Sequence, residues 1–388
     1  MSATIALPDK VEMKKTREGF GRALVALGER DPRIVVLVGD LTESTMVNFF
    51  AERFPERFIE VGIAEQNMTG IAAGLAAMGK IPFFATYGAF ASCRAADQIR
   101  VTVAYTNLNV KIGGAHGGIS VGPDGATHQA MEEISIIRSI PNMSIIVPAD
   151  YWETYKATLA AARHPGPVYL RFGREDVPVV TAEDTPFTFG RGEVFAEGRD
   201  LTIIACGVMV YEALRARETL AGRGIAARVV DLHTIKPIDA ALIERCARET
   251  GVIVTAEEHQ VNGGLGGAVA EVVVRSHPVP MEFVAVMDRF GQSGKPAELM
   301  DAFGLRAGTS SRPPSAPWRA SPGAEGVDRA CRRPGGCPSD PSTGRERQQS
   351  AGTRSLGHPR RLHALTARRR HSYSRARRVR KWRNWQTH

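Results

Sequence analysis

At 388 residues the chain is long enough for two ordinary domains and a remainder, and its 43% hydrophobic content is what buried cores require, so a globular protein is the starting expectation. The formal charge of +9 would point to nucleic acid if it were evenly spread. Of the 50 Lys+Arg and 41 Asp+Glu, however, 20 and 4 fall between Arg306 and His388, which leaves 30 and 37 in the first 305 residues. The body is mildly acidic, and basic charge confined to a tail licenses only non-specific phosphate attraction, so a nucleic-acid partner is not expected of the body. Cys93, Cys206, Cys246, Cys331 and Cys337 match no short metal-ligand spacing and read as reduced thiols of a cytoplasmic protein. Met1 to Lys15 has no apolar stretch followed by small residues, and no uncharged run approaches the roughly 20 residues that span a bilayer, so neither a secretory signal nor a membrane segment is expected.

From Lys14 to about Gly173, short β-branched runs alternate with amphipathic helical stretches. Ile34 to Val38, Ile81 to Ala85, Val110 to Ile112, Ser144 to Val147 and Val168 to Leu170 read as buried strands, and the alternation predicts a parallel sheet covered by helices. Arg174 to Arg199, with Pro178, Pro186 and mixed charges, reads as a linker. A smaller alternating unit follows, with strands at Leu201 to Ala205, Ala227 to Asp231, Val252 to Thr255 and Phe283 to Val286 and helices near Tyr211 to Leu220, Asp239 to Thr250 and Leu265 to Arg275. The expected fold class is thus α/β, with two parallel-sheet domains at 1–175 and 199–305 joined by a linker at 176–198. From 306 to 388 the composition turns to Arg, Pro, Ser and Gly with no hydrophobic period, which predicts a disordered basic tail. An out-of-frame extension is favoured over a natural nucleic-acid-binding tail. The change falls inside an apparent helix, Lys295 to Leu305, and Trp318, Trp382 and Trp385 follow no pattern.

Four groups of residues carry chemistry. Glu65, in Val61-Gly62-Ile63-Ala64-Glu65-Gln66-Asn67-Met68, precedes Gly70, Ala72, Ala73, Gly74, Ala76 and Ala77, so it starts a helix of small residues suited to a tight packing surface or a subunit interface. Taken alone, a glutamate at a helix start is most often dipole compensation or a solvated group. Thr86-Tyr87-Gly88-Ala89-Phe90 runs into a helix with Arg94, Asp97, Gln98 and Arg100, and aromatics three apart are most often core. Gly113-Gly114-Ala115-His116-Gly117-Gly118 and Gly122-Pro123-Asp124-Gly125-Ala126-Thr127-His128 put two imidazoles and a carboxylate in a glycine-rich loop, able to donate to and accept from sugar hydroxyls. Metal binding is not expected there, since no third ligand has suitable spacing. In the second unit, Glu257-Glu258-His259 precedes Gly263-Gly264-Leu265-Gly266-Gly267, a weak phosphate signal for which tight helix packing is the preferred reading.

The run Val61 to Met68 resembles the glutamate motif of the transketolase superfamily, and the likeness extends without large gaps from about Lys14 to Leu305. It implies thiamine diphosphate as cofactor, with Glu65 as the catalytic carboxyl that hydrogen-bonds the pyrimidine nitrogen, a role that needs an apolar, partly desolvated place. By the same resemblance Phe90 stacks on the pyrimidine with Tyr87 beside it, and Asp40 lies near the thiazolium. His116 and His128 contact the donor sugar and assist proton transfer, Asp124 binds a further hydroxyl, and Arg17 and Arg174 hold the substrate phosphate, a task suited to guanidinium. Cys93 stands where the family has a tyrosine. The family's Gly-Asp-Gly motif, whose residues hold Mg²⁺ and the diphosphate, does not occur in the chain, so those ligands are expected from an N-terminal partner subunit in an α2β2 enzyme that transfers a two-carbon ketol unit between sugar phosphates. The resemblance implies that residues 199–305 serve assembly and not chemistry. A 1-deoxyxylulose-5-phosphate synthase-like enzyme and a 2-oxo acid dehydrogenase β subunit are the neighbouring readings. The paired histidines weigh against the latter, whose substrate carries no sugar hydroxyls. Nucleic-acid binding through the tail is the reading of another class.

Overall fold

The computed structural model describes residues 11–308, so the disorder expected of the basic tail lies outside the described residues for 309–388. The chain enters through β1 (Met13–Lys15) and α1 (Thr16–Arg30), then β2 (Ile34–Val38), α2 (Asn48–Arg53), β3 (Phe58–Glu60), α3 (Glu65–Ala77) and β4 (Ile81–Tyr87). Two π-helical segments, Phe90–Arg94 and Ile99–Ala104, flank the short α4 (Ala96–Gln98). There follow β5 (Lys111–Ala115), α5 (Glu133–Ser139), β6 (Ser144–Ile146), α6 (Tyr151–Arg163) and β7 (Val168–Arg171). Helices cover the faces of a seven-stranded sheet ordered β3-β2-β4-β5-β7-β6 and closed by one later strand. Its first six strands are parallel. Every residue of β2 is buried, as a parallel strand covered on both faces requires. Each of its fully buried apolar side chains contributes about 1.5–3 kcal/mol relative to exposure. Helix α1 packs on α6 closely enough that a Cβ at Gly19 would lie 2.3 Å from the Tyr151 carbonyl oxygen.

The stretch read as a linker carries β8 (Asp176–Pro178), antiparallel to β1, and β9 (Glu193–Ala196). Beyond it come β10 (Leu201–Ala205), α7 (Met209–Ala221), β11 (Ala227–Asp231), β12 (Thr234–Lys236), α8 (Ala240–Thr250), β13 (Ile253–Gln260), α9 (Leu265–Arg275), β14 (Met281–Val286) and α10 (Pro296–Ala302). The second sheet runs β14-β13-β10-β11-β9, with β9 antiparallel. Strand β12 leaves that unit and pairs antiparallel with β6, completing the first sheet. The Val147 N–H also bonds the His233 carbonyl (2.7 Å), and one apolar cluster includes Ile134 and Ile137 together with Val230, Leu232 and Ile243. The two α/β units therefore share a core and a sheet. At the far end Leu305 is buried, and the Ala307 N–H donates to Glu212 at 2.8 Å.

Candidate functional site

The carboxyl ends of β2, β4, β5 and β7 lie side by side, and each delivers a residue singled out from the sequence: Asp40 after β2, Tyr87 at the end of β4, His116 after β5 and Arg174 after β7. Loops at this edge of an open parallel sheet diverge and leave a crevice for ligands.

A cluster of rings forms the centre. Tyr87 stacks on His116 with centroids 3.9 Å apart and on Phe90 at 5.6 Å, and His128 stands edge-on to both Tyr87 (5.8 Å) and Phe90 (5.3 Å). His116 is held in the left-handed region (φ 57°), a sparsely populated conformation that persists only where the surrounding structure fixes it. Its Nε2 lies 3.4 Å from the Ser44 hydroxyl, which in turn is 2.8 Å from the Tyr87 hydroxyl, and among the described residues its buried Nδ1 has no partner. Burial first, then the charges of Arg17 and Arg174, push the His116 pKa down to about 3. The ring is therefore neutral near pH 7, with one nitrogen able to donate and the other to accept.

Two guanidinium groups flank this cluster. Arg17 donates from Nη1 to the Ser44 carbonyl at 2.7 Å, and its buried Nε has no partner among the described residues. Its pKa is lowered by burial and by the charge of Arg174. Two cations this close repel, and an anion between them would relieve the repulsion. Arg174 pairs with Asp124 at 3.1 Å and donates to the Val121 carbonyl at 3.0 Å, so two residues assigned separate contacts from the sequence touch each other here.

Glu65 is the first residue of α3 and is 1% exposed. Its Oε2 accepts from Arg94 Nη1 at 2.8 Å, whereas Oε1 receives only a long contact, 3.4 Å, from the Thr86 hydroxyl. The guanidinium of Arg94 lies 4.2 Å from the centre of the Phe90 ring, linking the carboxyl to the ring cluster. Arg94 was noted in the sequence without a role. Its signal is its place four residues after Phe90, in a segment wound as a π-helix, a form that recurs at functional sites. Asp40 does not join the cluster: it is exposed at φ 59°, and its backbone N–H donates to Glu60 at 2.7 Å. Cys93 is exposed.

The residues present suit an aminopyrimidine, since Phe90 and Glu65 already hold a planar N–H donor, the Arg94 guanidinium, and one carboxylate oxygen is left nearly free. Among the described residues no three His, Cys, Asp or Glu side chains are grouped to hold a metal, and no helix is long and apolar enough to cross a membrane. A concavity of about 530 Å³ is lined by Arg138, Lys236, Ala268, Glu271 and Arg275 and includes none of the site residues.

The family model "Transketolase, pyrimidine binding domain" matches residues 12–180, and "Transketolase, C-terminal domain" matches 190–309. A transketolase C-terminal section of Methanocaldococcus jannaschii is 47% identical over 296 residues, covering 75% of this chain and 92% of that protein. The 6-deoxy-6-sulfo-D-fructose transketolase subunit SqwH of Clostridium sp. (strain MSTE9) is 45% identical over 298 residues, covering 77% and 92%. A solved structure described as a split gene transketolase, inactive beta4 tetramer, is 50% identical with a TM-score of 0.71, covering 76% of this chain and 94% of that one. The buried glutamate at a helix start, the ring cluster beside it and these matches along both α/β units lead to one conclusion: the chain belongs to the transketolase family, as a C-terminal section holding its pyrimidine-binding and C-terminal domains.

Proposed function

We propose that the chain is the C-terminal subunit of an α2β2 transketolase that moves a two-carbon ketol unit between sugar phosphates in cytoplasmic carbohydrate metabolism, such as the pentose phosphate pathway, and that it is active only with an N-terminal subunit. The observation that carries the proposal is the buried Glu65 carboxyl, tied by Arg94 to Phe90 and left with one nearly unoccupied oxygen. Bound thiamine diphosphate would supply the carbon nucleophile of the reaction. In this reading Glu65 Oε1 takes the pyrimidine N–H, Phe90 and Tyr87 wall the ring, and Asp40 lies toward the thiazolium. His116, neutral and with an unpartnered ring nitrogen, and His128 hold and pass protons at the sugar's carbonyl and hydroxyl oxygens. Asp124 fixes a further hydroxyl, and Arg17 and Arg174 take the phosphate.

In this reading the ligands of Mg²⁺ and the diphosphate come from the partner. A relative named as an inactive beta4 assembly and another named as a subunit support a two-chain enzyme. That second relative's name specifies a sulfonated sugar, in keeping with a substrate that carries an anion. Free Cys93, Cys206 and Cys246 suit a reducing compartment. Ketol transfer from xylulose 5-phosphate, with thiamine diphosphate and Mg²⁺, is expected only when the chain is mixed with its N-terminal subunit. Glu65→Ala is expected to lower it by at least about 100-fold. Transfer by the chain alone, or by the Glu65→Ala mixture at wild-type rate, refutes the proposal.

A further inference from the structure

The Glu257-Glu258-His259 run lies near the end of β13, whose eight residues are all buried, and its side chains alternate between two neighbours. Glu257 faces α9: its carboxylate accepts the N–H groups of Leu265 (2.7 Å) and Gly266 (2.8 Å), so the glycine-rich helix start is already capped by the protein's own anion. Glu258 faces the other domain. Its Oε1 accepts the Ser120 N–H at 2.6 Å.

Ser120 sits in the loop that begins at His116 and ends at His128. A Cβ added at Gly118, whose φ is +95°, would lie 2.2 Å from Glu258 Cδ, and one added at Gly117 would lie 2.3 Å from Arg171 Nε. Arg171 in turn donates to Glu133 at 2.7 Å and to the Glu258 carbonyl at 2.6 Å. The paired glycines therefore let the loop backbone rest directly on a buried Glu133–Arg171–Glu258 network. Burial raises the pKa of Glu258, and the Arg171 charge and the Ser120 bond oppose that rise. A buried carboxylate is costly unless it is paired and bonded, so the network favours one geometry. Farther along, Gln129 donates to the Ile119 carbonyl (3.1 Å) and to Gln292 of the second domain (2.9 Å).

We infer that Glu258 is a positioning residue for ketol transfer: from the C-terminal domain it fixes the loop that presents His116, Asp124 and His128 to the sugar. This rests on the transketolase reading and extends it, because that reading gave the C-terminal domain to assembly alone. The test compares wild type, Glu258→Ala, Glu258→Gln and Gly118→Ala in complex with the N-terminal subunit. It measures kcat, donor KM, thiamine diphosphate affinity and amide exchange in the peptide spanning 117–124. Glu258→Ala and Gly118→Ala are expected to lower kcat/KM by about 10- to 100-fold, to speed exchange in that peptide and to leave cofactor affinity unchanged. Glu258→Gln, which keeps an acceptor oxygen, should recover most of the loss. Equal losses in cofactor affinity and kcat/KM, or unchanged exchange in Glu258→Ala, overturn the inference. If wild type shows no ketol transfer, the functional reading fails, and exchange that is faster in Glu258→Ala and restored in Glu258→Gln still supports Glu258 as the anchor of the loop.

Discussion

Arg94 joins the two residues proposed to recognise the pyrimidine, reaching Glu65 with Nη1 and lying over Phe90. A carboxylate on a flexible stem keeps one rotamer only if something holds it, and the planar guanidinium does so through Oε2 while itself resting on the Phe90 ring. Arg94→Ala should therefore weaken thiamine diphosphate binding in the assembled enzyme by about tenfold or more, with Arg94→Lys intermediate because it keeps charge without the planar stack. Titration calorimetry showing equal cofactor affinity in all three proteins would remove this role. Glu65, Tyr87, Phe90, His116 and His128 were singled out because the runs that hold them resemble those of the transketolase superfamily. Arg94 was not, since an arginine on a helix is usually solvated and only the packing reveals its partners.

At the scale of elements, α3 has one face against the sheet, with Met68, Ala72 and Ala73 buried, and another bare, where Gly70 and Gly74 have nothing within 4 Å. The tight packing that its small residues suggest is thus not used within the described chain, and exposed Ile63 and Met78 lie at its two ends. We expect the N-terminal subunit to lie across this face, close to Glu65. Gly70→Leu and Gly74→Leu should leave the melting temperature of the isolated chain equal or higher, because leucine favours helix over glycine by up to about 1 kcal/mol, while size-exclusion chromatography shows assembly lost. Normal assembly of both variants would put the interface elsewhere. The long apolar runs of β2, β10 and β11 announced themselves with their observed limits. The short strands β1, β3, β8, β9 and β12 did not, since three or four residues carry too little period, and their pairing is settled by partners distant in sequence.

For the molecule as a whole, the junction of the two units contains an acidic cluster. Asp150 caps α6 and accepts from Val180 and Thr181, and the buried Glu153 carboxyl accepts the Ala149 N–H and lies against Asp231 of β11. Burial, then mutual repulsion among these carboxyls, raises the pKa of Asp231; Glu153 is likewise raised, chiefly by burial. The folded state therefore keeps a proton that the unfolded chain releases. The stability this proton carries is full below the ordinary carboxylate range and is lost as pH rises toward neutrality. Glu153→Gln removes one titrating group, so its melting temperature relative to wild type should be several degrees higher at pH 8 than at pH 5. Parallel curves in differential scanning calorimetry would show that the pair does not share a proton.

The sequence by itself determined the α/β class and the body's acidity, because strand period and local composition are properties of neighbouring residues, and its resemblance to the transketolase superfamily singled out the residues found at the sheet's carboxyl edge. Only the tertiary structure decided that β12 crosses to the first sheet, that Glu65 is held by Arg94, and that Glu258 grips the loop of the other domain through Ser120. Each of these contacts joins residues from 29 to 138 positions apart or a strand to a sheet of the other unit. Such pairings are chosen by burial and hydrogen-bond satisfaction in the folded chain, and local pattern does not record them.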